Sequence, residues 1–162
     1  MSVSGAFYPQ LGDPEVLKKV FVKYDIPQTP EAIDAWRRYE VISCTDYHPS
    51  TPIHTLWMAI TPWNQLIFFD QLIMEKPRPS VYVQKMLELE EKWHIVNLKD
   101  RIVDKAISKN YNIEMDGEWI AYNPYEKFND LFDEHQTHPF RMVTGSEASI
   151  PMVREMFTPM EL

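Results

Sequence analysis

Apolar and β-branched residues dominate from Tyr39 to Thr45, the composition of a strand. Thr55 to Thr61 has the same character, and Pro62, Trp63 and Asn64 make a tight turn into a third such run, Gln65 to Ile73. Two short turns joining three strands predict an antiparallel meander. The period then lengthens. After Ser80, a suitable N-cap, Tyr82, Met86, Leu89 and Trp93 recur on one helical face, while Gln84, Lys85, Glu88 and Glu91 fall elsewhere. That stripe reads as core packing against a sheet.

Arg101 to Asp104 is a short apolar rise that ends on an acid. Asn123 and Pro124 open a helix through Glu134 with Phe128, Leu131 and Phe132 inward. A last helix is expected from Pro151, with Val153, Met156 and Phe157 inward. Residues 1–38 form a lead-in. There Asp13 and Pro14 open a short helix, Val20 to Tyr24 reads as a strand, and Pro30 to Trp36 is a second short helix. The folded domain is placed at 39–162, with the order β-β-β-α-β-α.

At 162 residues the chain is long enough for one domain with its own core. Thirteen Pro against four Gly give stiff connections and leave too little glycine for a dinucleotide-binding loop. The net charge of −8 excludes a broadly basic surface that coats nucleic acid, but not a nuclease, whose metal site is itself acidic. A lone cysteine, Cys44, forms no internal disulfide, so a reducing compartment is expected. No signal pattern and no run near the ~20 apolar residues of a membrane span appear, and the protein reads as soluble and intracellular. Neither a phosphate-binding G-x-x-x-x-G-K-[ST] loop nor a G-x-S-x-G nucleophile motif is present.

The candidate chemistry rests on Asp46 and Asp104, each at the C-terminal end of an apolar strand. Each taken alone is a turn former. If the two strands are neighbours, their carboxylates meet at one sheet edge, where mutual repulsion favours a cation between them. Mg²⁺ or Mn²⁺ suits oxygen donors, and two such ions would serve phosphodiester cleavage. His48 and His54, flanking the turn after Asp46, read as loop residues, with His48 near enough in sequence to touch a phosphate or a metal-bound water. His135 and His138 lack zinc-site companions. Asp130, Asp133 and Glu134 read as a solvated helix face, with Asp130 or Asp133 as an alternative third metal ligand.

The segments "SGAFYPQL" and "YDIP", then "RRYEVISCTDYHPSTPIHTLWMAITPWNQLIFFDQLI", "DRIVDKA" and "SIPMVREMF", resemble the nuclease domain of a tailed-phage terminase large subunit. The resemblance runs from about Gly5 to Phe157 and lies in patterns rather than in one diagnostic motif. It implies an α/β, RNase H-like mixed sheet: an antiparallel three-strand meander, a further strand beside it and flanking helices. It implies a metal-dependent endonuclease that cuts concatemeric double-stranded DNA, with Asp46 and Asp104 as the first two acids of a two-metal Mg²⁺ or Mn²⁺ site. The implied partners are DNA, the terminase ATPase domain, the small terminase subunit and the portal, in the host cytoplasm and without a membrane. The alternative is a noncatalytic RNase H-like module that binds DNA or a packaging partner. Two departures stand out. The family's third acid lies on a helix beyond the segment resembling "SIPMVREMF", and the ATPase half is absent. Either the third ligand is missing, or Asp130 or Asp133 replaces it, or the chain is a C-terminally incomplete fragment.

Overall fold

In the computed structural model, which describes residues 14–15 and 25–143, a five-stranded mixed sheet carries the helices of residues 25–143. The chain enters through α1 (Pro30–Arg37), whose N-cap Thr29 accepts the Ala32 amide and whose Trp36 is buried. β1 (Glu40–Asp46), β2 (Ile53–Ile60) and β3 (Leu66–Met74) then form the antiparallel meander. α2 (Pro79–Lys92) crosses back over the sheet to β4 (Leu98–Asp104), which pairs with β1 in parallel. A 3₁₀ turn (Lys105–Ser108) leads to a separate hairpin of β5 (Tyr111–Met115) and β6 (Glu118–Tyr122). α3 (Pro124–Glu134) returns the chain to β7 (Phe140–Val143), parallel to β4. The strand order is β3-β2-β1-β4-β7. A parallel neighbour needs a long crossover, and α2 and α3 supply one each.

The three-strand meander, the further strand beside it and the two flanking helices match the fold expected from the sequence within one to three residues per boundary. The expected strand at 20–24 and the helix from Pro151 lie outside the described residues. Three points differ from expectation. α2 starts one residue before Ser80, with Arg78 at the N-cap and no side-chain capping bond. Residues 105–122 hold a hairpin that the expected element order omits. β7 is likewise additional to that order.

One sheet face carries the core. Val41, Ser43 and Thr45 of β1, Thr55, Trp57 and Ala59 of β2, and Arg101 and Val103 of β4 are all buried. Against them pack Tyr82, Val83 and Met86 of α2 and Phe128, Leu131 and Phe132 of α3. The contacts are specific: the Tyr82 hydroxyl lies 2.7 Å from Thr55 Oγ1, which lies 2.8 Å from Thr45 Oγ1. Burial raises the Tyr82 phenol to about 12, so it stays protonated and hydrogen-bonded at neutral pH. A second aromatic group, Trp36, Phe69 and Trp93, closes the far end, with ring centroids 4.9–5.3 Å apart.

Two charges sit inside this core. Arg101 is fully buried and donates to both carboxylate oxygens of Glu90 on α2, at 2.5 and 2.8 Å. Its Nε donates to the His138 carbonyl, Nη2 also reaches Thr137 Oγ1, and the guanidinium lies 4.6 Å from the centroid of Phe132. Trp57 Nε1 donates to the same Glu90 carboxylate. Removing one partner strands the other as an uncompensated buried charge. We therefore predict that Arg101→Met lowers stability by about 3–5 kcal/mol, read from the midpoint shift in urea denaturation.

Candidate functional site

Side chains alternate across a strand, so the residue after a core-facing one points to the other face. Thr45 and Val103 are buried on the helix side, and the next residues, Asp46 and Asp104, are exposed on the opposite side. The β1–β4 pairing runs through Thr45↔Val103. One step on, the two acids end neighbouring parallel strands side by side. The sheet thus brings Asp46 and Asp104 to one edge and one face.

His54 stands directly opposite Asp46 in the β1–β2 register. It is a strand residue of β2, not the loop residue expected from its place after a Pro-rich turn. Its Nε2 donates to Gln71 Oε1 of β3 at 3.0 Å, since the amide oxygen only accepts. His48 does lie in the turn, where its Nδ1 meets Ser50 Oγ at 2.9 Å and the Ser50 amide at 3.2 Å. The signal for His54 was in the sequence: an apolar strand ending at Asp46 and a short turn fix what Asp46 faces.

Asp104 has a second task. Its Oδ1 accepts the Ala106 amide at 2.7 Å and so caps the 3₁₀ turn that begins at Lys105. That turn buries Ile107 and delivers the hairpin, whose base is pinned by Asn123 Nδ2 donating to Asn110 Oδ1 at 3.0 Å. The hairpin lies close to Tyr47, the residue after Asp46. Burial first, then Tyr122 and Tyr111, push the Tyr47 phenol up to about 12. An Asp–Gly turn at Asp116 and Gly117, both at positive φ, is the hairpin signal that the expected element order passes over.

Asp130 and Asp133 are not brought to this edge. They lie on α3, which packs on the helix side of the sheet, whereas Asp46 and Asp104 face the other way. His135 ends α3, and His138 lies in the following loop. Among the described residues no three His, Cys, Asp or Glu side chains are gathered closely enough to hold a metal ion. Cys44 lies on the same face as Asp46, where desolvation and then Asp100 raise its thiol, leaving a poor nucleophile.

The double role of Asp104 separates charge from capping. Asp104→Ala should cost roughly 0.5–2 kcal/mol through the lost cap, while Asp104→Asn, an equally good cap, should leave stability nearly unchanged. Thermal denaturation of both variants checks this.

No protein-family model and no curated protein matches the chain. Solved structures do. The large terminase of a thermophilic bacteriophage aligns with a TM-score of 0.54 at 12% identity, over 88% of this chain and 32% of that one. The chain therefore spans about a third of that terminase. The P22 large terminase nuclease domain aligns with a TM-score of 0.52 at 11% identity, over 97% of this chain and 70% of that domain. At such identities the likeness speaks for fold. No helix among the described residues is long and apolar enough to cross a membrane. The five-stranded mixed sheet with its flanking helices has the fold of a phage large-terminase nuclease domain.

Proposed function

We propose that this chain is the metal-dependent endonuclease domain of a viral DNA-packaging terminase, hydrolysing phosphodiester bonds of concatemeric double-stranded DNA. One observation carries the reading: Asp46 and Asp104 end adjacent parallel strands on one exposed face of a sheet with a terminase-nuclease fold. The donor chemistry fits a hard cation, because Mg²⁺ is commonly held by one or two carboxylates, with waters and substrate phosphate completing its shell. Asp46 and Asp104 would hold Mg²⁺ or Mn²⁺. When bound, the cation neutralises phosphate charge and lowers the pKa of a water.

The protein's own contribution is placement. The β1–β4 register sets the spacing of the carboxylates, and the buried Thr45 and Val103 behind them anchor both strand ends. With a net charge of −8 the chain has no broad grip on DNA. Delivery of the duplex would fall to the ATPase domain, the small terminase subunit and the portal, in the host cytoplasm. A noncatalytic module that binds DNA or a packaging partner is favoured by a different observation, the lack of a third acid beside Asp46 and Asp104 among the described residues.

The full chain should nick supercoiled plasmid in Mn²⁺ and stop in EDTA. Asp46→Asn and Asp104→Asn should each slow nicking by about a hundredfold or more, the scale of losing one electrostatic group at a reacting centre. No nicking, together with no rise in melting temperature on adding Mn²⁺, would leave the noncatalytic module as the correct reading.

A further inference from the structure

A net charge of −8 conceals where the unpaired cations lie. Residues 25–143 hold twelve Lys and Arg, and five of them, Arg38, Lys85, Lys99, Arg101 and Arg141, are held in ion pairs. Of the other seven, four gather at the strand ends that carry the acids. The pairings Ile53↔Met74 and Asp46↔His54 bring the end of β3 and the start of β2 to the edge where β1 and β4 finish. Lys76 and Arg78 follow β3 there, in the link to α2, and Lys105 and Lys109 begin and close the 3₁₀ turn after β4. All four are exposed, and among the described residues none of them has an ion pair. The acids on this edge are Asp46, Asp104 and, beside Lys76, Glu75.

In the strand order β3-β2-β1-β4, the cations after β3 and those after β4 bracket Asp46. Adjacent strands lie about 4.8 Å apart, so three spacings separate the ends of β3 and β4 by about 14 Å. One DNA strand carries a phosphate per about 3.4 Å of helix axis, and that span meets roughly four phosphates. Lys and Arg on phosphate oxygens position a duplex without reading its sequence. We propose that Lys76, Arg78, Lys105 and Lys109 hold the backbone of duplex DNA along the row of strand ends, at right angles to the strands, so that it passes over Asp46 and Asp104. This rests on the reading of the chain as acting on DNA, and deepens it by naming the groups that set the path of the duplex. Toward the opposite edge Lys99 is neutralised by Glu40. With no cation between them, Asp46 and Asp104 repel the same backbone, so the path carries a signature of both signs.

Fluorescence anisotropy of a labelled short duplex, titrated with the full chain in EDTA over a series of salt concentrations, tests this without cleavage. Lys76→Gln, Arg78→Gln, Lys105→Gln and Lys109→Gln should each flatten the slope of log K against log salt by about 0.9. Arg78 makes no side-chain capping bond, so its replacement leaves the start of α2 intact. Lys92→Gln, about 20 Å further along α2, should leave the slope unchanged. Asp46→Asn should tighten binding in EDTA, because it removes a like charge from the path. Circular dichroism verifies the fold of each variant. No binding, a slope that none of the four substitutions moves, or one that Lys92→Gln flattens as much, overturns the proposal and leaves the endonuclease to the nicking assay. Binding that Asp46→Asn fails to tighten also overturns it, since the duplex then runs elsewhere. Flattened slopes and tighter binding by Asp46→Asn, without plasmid nicking, uphold the path and sink only the endonuclease.

Discussion

A guanidinium in the middle of the sheet constrains nearly everything else. Arg101 is fully buried on β4, and it is tolerable there only because it donates four hydrogen bonds: two to Glu90, one to Thr137 and one to the His138 carbonyl. Those partners lie on α2 and on the loop entering β7. The ion pair therefore fixes the crossover helix to the central strand and positions the last strand at the same time. Trp57 joins from β2 through Glu90, so two strands, a helix and the approach to a third strand share one polar centre. Hydrophobic packing is tolerant of small slides, whereas a bidentate pair in a dry core is not.

The far end of β4 is governed by parity. With Arg101 facing the helices, Val103 faces them too, and Asp104 faces away. The same alternation on β1 turns Thr45 inward and Asp46 outward. Because β1 and β4 are parallel and in register to Thr45↔Val103, the two carboxylates end at one edge. The pleat that joins these acids also separates them from Asp130 and Asp133, which sit on a helix of the opposite layer. It adds His54, because an antiparallel partner facing Asp46 presents its side chain to the same side.

The elements easiest to read were those whose period was strong and whose ends carried punctuation. β1, β2, β3 and α3 were legible, with Asn123 and Pro124 marking the helix start. The hairpin and β7 were not. The five-residue strands of the hairpin are barely longer than a turn, and β6 is almost wholly exposed, so no buried face marks its alternation. β7 has four residues, and its one buried side chain, Phe140, acquires meaning only against Phe128 and Phe132. Glu90 was hidden for another reason. On a helix with Glu88 and Glu91 it looks like one more solvated acid until Arg101 is placed beside it.

By itself the sequence determined that two apolar strands end on acids, Asp46 and Asp104, because strand composition and local punctuation are short-range properties. It also settled the meander, since short turns leave adjacent strands no choice but antiparallel pairing. Only the tertiary structure decided that β4 lies beside β1 rather than at an outer edge. That choice depends on where a fourteen-residue helix finds partners for a buried charge, a contact between residues far apart in the chain. The same choice made neighbours of Asp46 and Asp104, which no spacing along the chain records.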